Sequence, residues 1–298
     1  MRKIDKKKVA ITYALAAALF YAINVPCSKR LLTEVAPTFM AAFLYLGAGI
    51  GVGIMYLFHH KSEKPEERLT RADLPFTIGM VVLDILAPIL LMLGIHTGTS
   101  SNASLLGNFE IVATTMIALL VFKEKVTRRL WAAIGFITIS SILLSFGGAE
   151  DLRFSVGSLF VLGATACWGL ENNCTRRIAA KSTHQIVTIK GLFSGTGSLF
   201  VALLLGEALP EAQYVLLALL LGFVSYGLSI FAYIRAQKTL GAAKTSAYYA
   251  IAPFIGTFLS FVLLGERLTV NYLVALLFMV VGTIFVILDT LRDQVPSP

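Results

Sequence analysis

The chain has 298 residues, 57% of them hydrophobic and 14% charged, with a mean hydropathy of +0.79. That composition leaves too little polar surface for a water-soluble domain of this length. The formal charge is +8, but the basic residues sit between apolar runs and not on one face, which argues against nucleic-acid binding as its cause.

In chain order, a basic tail over residues 1–8 comes first. It resembles the n-region of a signal peptide. The apolar run behind it continues to about Leu32 without a small-residue cleavage site, which predicts a first helix that is retained. Ten apolar segments follow one another, near 9–32, 36–58, 74–95, 101–122, 129–147, 155–175, 185–206, 213–236, 242–264 and 269–289. Each is close to the roughly 20 residues that cross a bilayer. Only the connection 59–73 is long and highly charged. The expected fold class is an all-α integral membrane protein with ten transmembrane helices.

Sidedness follows from Lys and Arg. With the N-terminus in the cytoplasm, the tails and cytoplasmic loops hold 20 of the 25 basic residues. The opposite side holds Lys29, Arg30, Arg153 and Arg267, and Lys190 lies within a span. The bias predicts a multi-pass protein of the inner or plasma membrane with both termini cytoplasmic.

The two halves also match each other. Tyr21–Arg30 aligns with Trp168–Arg177, placing Asn24 on Glu171 and Cys27 on Cys174, at an offset of 147. Val121–Thr127 aligns with Leu263–Thr269, placing Glu124 on Glu266, at an offset of 142. This divides the chain into a tail (1–8), a first five-helix repeat (9–147), a second (155–289) and a C-terminal tail (290–298). Five helices per half is an odd number, so the repeats are inverted across the membrane, as in many secondary transporters.

On these residues the chain resembles the drug/metabolite transporter superfamily in its ten-helix EamA form, over nearly all of residues 9–289. In that family each half ends with small residues, a proline, an apolar run, a Gly-Glu pair and spaced glycines. Ser246, Pro253, Gly265-Glu266 and Gly282 match in the second half. The first half departs: Glu110-Ile111 stands where the proline would be, Lys123 precedes Glu124, and only Gly135 remains of the glycine pair. The resemblance implies export or exchange of small solutes.

Ionisable side chains inside a bilayer are costly, about 2.5–3.5 kcal/mol each on insertion scales, and so are functional candidates. Four stand within spans: Asp84, Glu110, Glu171 and Lys190. Counting from span ends puts Asp84 and Glu110 near the midplane, and Glu171 and Lys190 together at a shallower, cytoplasmic depth. Glu110 is the first choice for a carboxylate that binds substrate or a coupling proton. Its bland alternative is a structural acid bonded to Asn102, Asn108 or backbone. Asp84, ahead of Pro88, has the alternative of satisfying backbone groups that the proline frees. Glu171 and Lys190 suit an ion pair acting as lock, gate or substrate contact, with Asn172 and Asn24 as polar neighbours. Trp168, Tyr21, Tyr248 and Tyr249 are candidate cavity walls, or else packing against lipid and helices. Lys29 and Arg30 suit snorkelling at a span end. Gly47, Gly49, Gly51, Gly53, Gly191 and Gly195 suit close helix packing.

Cys27, Cys167 and Cys174 form no CxxC, the four histidines have no ligand spacing, and the chain has neither a Walker loop nor a dinucleotide fingerprint. No cofactor, metal or ATP use is expected. The expected function is secondary active transport of a small organic solute (amino-acid-like, amine or drug-like), not enzyme catalysis. The rivals are a channel or membrane sensor and, further off, a membrane-embedded enzyme. The expected partners are that small-molecule substrate and membrane lipid, with no nucleic acid.

Overall fold

The structure is a computed structural model that describes residues 3–59, 65–122, 126–145, 155–240, 245, 248–267 and 269–292. The family-motif positions Lys123, Glu124 and Ser246 fall outside these residues. Among the described residues the α-helices are, in chain order, α1 (Lys3–Ala22), α2 (Asn24–Leu31), α3 (Pro37–His59), α4 (Leu74–Thr97), α5 (Ser100–Leu106), α6 (Phe109–Phe122), α7 (Arg128–Ser145), α8 (Val156–Ile178), α9 (Thr183–Leu204), α10 (Ala212–Gly222), α11 (Ser229–Leu240), α12 (Ala252–Leu264) and α13 (Val270–Arg292). A π-helical segment, Phe223–Leu228, joins α10 to α11.

Among the described residues seven helices are long and apolar enough to cross a membrane: Lys6–Leu31, Pro37–Phe58, Arg71–Thr97, Arg128–Ser145, Thr183–Leu204, Ala212–Leu240 and Val270–Asp289. Ten expected segments therefore become seven long apolar helices, and the differences have local causes. Segment 101–122 is broken between α5 and α6. Segment 155–175 is one helix, but Glu171, Asn172 and Asn173 lower its hydropathy. Segment 242–264 lies partly outside the described residues, leaving α12 at 13 residues.

Two breaks lie at related places in the two halves, Gly107–Asn108 and Ala250–Ile251, whereas the break at Ile23 has no counterpart in α8. Pro26 has no N–H to give the carbonyl of Ala22, and the first span breaks at Ile23. Pro253 likewise has no N–H to give the carbonyl of Tyr249, and α12 starts at Ala252 with this proline in its first turn. Glu110-Ile111 replaces the proline in the first half, yet the chain still breaks there. The N–H groups of Gly107, Asn108, Glu110 and Ile111 bond three residues back, at 3.1–3.2 Å, which tightens the backbone between α5 and α6.

Packing partners are exchanged between the halves. Two helices run against their own counterparts: α3 along α9 and α7 along α13. Swapping the halves also turns the α4–α8 pairing into α1–α11, and α6–α8 into α12 with α1 and α2. Equivalent caps recur as well. Thr127 Oγ1 accepts from Leu130 N and Thr269 Oγ1 from Tyr272 N, both at 3.1 Å. Glycines let α3 and α9 approach closely at Gly49 and Gly191. Large apolar side chains such as Phe58, Phe193, Phe200, Leu216 and Leu277 cover the outside, as a lipid-facing surface requires.

Two carboxylates tie spans together at helix starts. Glu266 accepts from Ser100 N (2.7 Å) and Ser101 N (2.8 Å) at the start of α5, and Glu207 from Thr38 N (3.2 Å) and Phe39 N (3.0 Å) at the start of α3. Acidic groups suit helix N-termini, where backbone donors are unpaired. Glu266→Ala is expected to lower stability by about 1–2 kcal/mol, read by unfolding the purified protein in SDS. Lys29 does the reverse at the end of α4. Its ammonium donates to Ile95 O (2.7 Å), Gly98 O (2.6 Å) and His96 O (3.2 Å), so it caps a helix and does not simply snorkel.

Candidate functional site

Three helices bring charge to one buried place. Lys190, on α9, lies between two carboxylates: Nζ is 2.9 Å from Asp84 Oδ2 on α4 and 3.0 Å from Glu171 Oε1 on α8. All three are buried, with exposures of 0% for Asp84, 2% for Glu171 and 7% for Lys190. Tyr45, on α3, donates to Asp84 Oδ1 at 2.8 Å, and Thr175 donates to Glu171 Oε1. Burying an ion pair is tolerated when the remaining lone pairs are satisfied, which is the work of Tyr45 and Thr175. The depth count separated Asp84 from Glu171 and Lys190. The structure corrects it, because the three form one cluster.

A neutral cluster adjoins the charged one. Asn24 follows the break in the first span, and its Nδ2 donates to Tyr226 Oη at 3.4 Å. Asn24 Oδ1 accepts from Ser28 Oγ at 3.1 Å. The Tyr226 ring lies 4.9 Å from that of Tyr45 and 6.0 Å from that of Tyr21, and Tyr21 is 5.8 Å from Tyr249. Tyr226 stands in the π-segment, an irregularity that turns side chains away from α-helical register.

Glu110 occupies the first turn of α6, just past the break. Its Oε1 accepts from Asn172 Nδ2 at 2.5 Å. The partner is Asn172, not Asn102 or Asn108: Asn102 donates instead to Leu144 O at 3.3 Å. Glu110 also lies within Coulomb range of Glu171, Lys190, Tyr21 and Tyr249. Asp84 does not serve Pro88, since its partners are Tyr45 and Lys190.

A small cavity opens beside these groups, with Tyr21, Trp168, Ser104, Gly107, Pro253 and Gly256 in its walls. Its lining comes from the first, third, fourth, sixth and ninth segments. Ser104 Oγ is buried there without a hydrogen-bond partner. Tyr248 is not part of this site, for it packs against the buried Ala10, Ala14, Ala236 and Leu240 where α1 meets α11. Among the described residues no three His, Cys, Asp or Glu side chains converge as metal ligands.

The sequence reading missed Tyr45, Tyr226, Thr175 and Ser104. Tyr45 gave a weak signal, as a hydroxyl beside the glycines of the second segment. The π-segment that aims Tyr226 left no mark in the composition.

An apolar exterior, helices broken at mid-length, and a buried charged cluster where the halves meet define a polytopic membrane transporter. The chain belongs to the EamA-like transporter family, whose model matches residues 8–146 and 155–288. It is 24% identical over 281 residues to an uncharacterized transporter of Methanothermobacter thermautotrophicus, covering 86% of this chain and 79% of that one. It is 22% identical over 290 residues to the uncharacterized transporter YyaM of Bacillus subtilis, covering 93% and 90%. A crystal structure at 16% identity superposes with a TM-score of 0.70, over 97% of this chain and 99% of that one, and so shares the fold.

Proposed function

We propose that this protein is a proton-coupled secondary transporter that exports or exchanges a small organic solute by alternating access. On this reading it carries no enzymatic activity. Ten spans form two inverted five-helix repeats, in the inner or plasma membrane with both termini cytoplasmic. The basic-residue bias, the matched breaks and the exchanged packing partners support that topology.

The observation that carries the proposal is the position of Glu110. It is an acidic side chain at a helix break beside an aromatic-walled cavity, and it accepts a hydrogen bond from the neutral Asn172. A carboxylate held this way can take up a positive charge, from an amine or a proton, and release it when the halves part and water enters. Tyr21 and Trp168 supply apolar faces for the body of the solute.

The test begins with a thermal-shift screen of the purified protein against amino acids, amines and sugar derivatives. Compounds that shift the protein then go into counterflow in proteoliposomes. Glu110→Gln is expected to lose proton-dependent counterflow by at least tenfold while keeping its elution profile. Unchanged flux and pH dependence in that variant would overturn the assignment.

A further inference from the structure

Exchanging the two halves lays one buried cluster on the other. The sequence match already pairs Asn24 with Glu171. Offsets within the 142–147 span of the two matches pair Tyr45 with Lys190 and Tyr226 with Asp84. One contact obeys the same exchange, Tyr45 with Tyr226 against Lys190 with Asp84, while the third member bonds a different partner in each set. Tyr226 lies against Tyr45 and accepts from Asn24, while Asp84 pairs with Lys190, which also holds Glu171. The same three positions are therefore neutral in one arrangement and ionic in the other. The Tyr45–Asp84 hydrogen bond joins them.

Asn24, Tyr45 and Tyr226 show that the positions pack without charge, so the ionic set bears a cost that the fold does not require. The ionic set is also unbalanced. Two carboxylates share Lys190, which is the one lysine or arginine buried among the described residues. One negative charge is left over. Asp84 Oδ2 is fully buried and lies 2.9 Å from the ammonium.

Among the described residues, the other groups facing the cluster add no cation. They are Tyr45 from α3, Cys174 from α8, Tyr226 from the π-segment and, toward Glu171, Glu110 from α6. The cation position between the carboxylates is already filled by Lys190. A counter-charge that needs no volume of its own fits there, and a hydrated or multiply coordinated metal ion does not.

We propose that Asp84 and Glu171 share one exchangeable proton across Lys190, and that this is the coupling site, separate from the solute site at Glu110 and the aromatic cavity. The shared proton balances the cluster, and its loss leaves a buried net charge of −1. The inference rests on the transporter reading for its role in coupling, but the proton itself is measured without transport.

The experiment is pH-difference infrared spectroscopy of the purified protein, with protons as the probe, from about pH 4 to about pH 10. Glu110→Gln is used as the background, so that this carboxyl is silent. Spectra are subtracted between variants so that exposed carboxyls cancel. The background is expected to show one titrating carboxylic-acid C=O band, equal in sodium and choline chloride. Adding either Asp84→Asn or Glu171→Gln is expected to abolish it, because each leaves a balanced pair with Lys190. The two variants are independent routes to the same result, and both keep the cluster neutral for folding. A band that survives in either variant, that is missing from the background, or that changes with sodium would overturn the proposal. Absence of any solute exchange by the wild-type protein would instead sink the transporter reading and leave the proton site standing.

Discussion

Lys190→Met is expected to abolish recovery of folded protein, and the triple variant Lys190→Met/Asp84→Asn/Glu171→Gln to restore it. Lys190 is the shared counter-charge of two carboxylates that are almost wholly removed from solvent. Its removal leaves two like charges facing each other in the membrane interior. Breaking a buried pair by deleting one partner costs about 3–5 kcal/mol, a large part of the stability of a typical fold. Protonating both carboxyls is the escape, and that too costs free energy at neutral pH. The triple variant removes the charges altogether, and the neutral Asn24–Tyr45–Tyr226 cluster shows that uncharged groups pack at related positions. Size-exclusion chromatography after membrane extraction checks both halves of the prediction. Monodisperse Lys190→Met protein at wild-type yield would mean that the carboxylates do not depend on the ammonium.

The sequence disclosed the charges but not their company. Each of Asp84, Glu171 and Lys190 announces itself, because an ionisable residue in an apolar run is conspicuous. Their convergence is not visible, since it depends on α4, α8 and α9 meeting at one level. Counting from guessed span ends put Lys190 well away from Asp84. A lysine stem carries its charge several ångströms from its own Cα, and helix ends shift with the loops: α4 is preceded by a 3-10 turn over Arg71–Asp73. Glu110 shows the opposite case. Its place in the chain was read correctly as a departure from the repeat, but its helix break was not foreseen, because the residue associated with such a break is proline and none is there. Hydropathy was misleading at the candidate site. The helix that holds Glu171 and Asn172 misses the seven long apolar helices because of the side chains that build the site.

Glycine spacing was legible, and its consequence is the second large effect. Gly191→Ala is expected to destabilise the protein by about 3 kcal/mol, at the upper end of overpacking costs. A Cβ at position 191 would lie 2.2 Å from Gly49 N, 2.4 Å from Gly49 Cα and 2.8 Å from Tyr45 O. All three are backbone atoms of α3, so no side chain can rotate away, and the two helices must part. The displacement reaches the site directly. Lys190 precedes Gly191 on α9 and Tyr45 sits on α3, so parting these helices pulls Lys190 and Tyr45 to opposite sides of Asp84. Stability and proton binding should therefore fall together. Gly135→Ala in α7 is the control. A Cβ there meets nothing within 4 Å, and replacing a mid-helix glycine by alanine gains about 0.5–1 kcal/mol. Unfolding of both variants in SDS, with the titrating carboxyl band recorded in parallel, decides the matter. Wild-type stability in Gly191→Ala would show that α3 and α9 can separate without cost, and the site would then not be held in place by their contact.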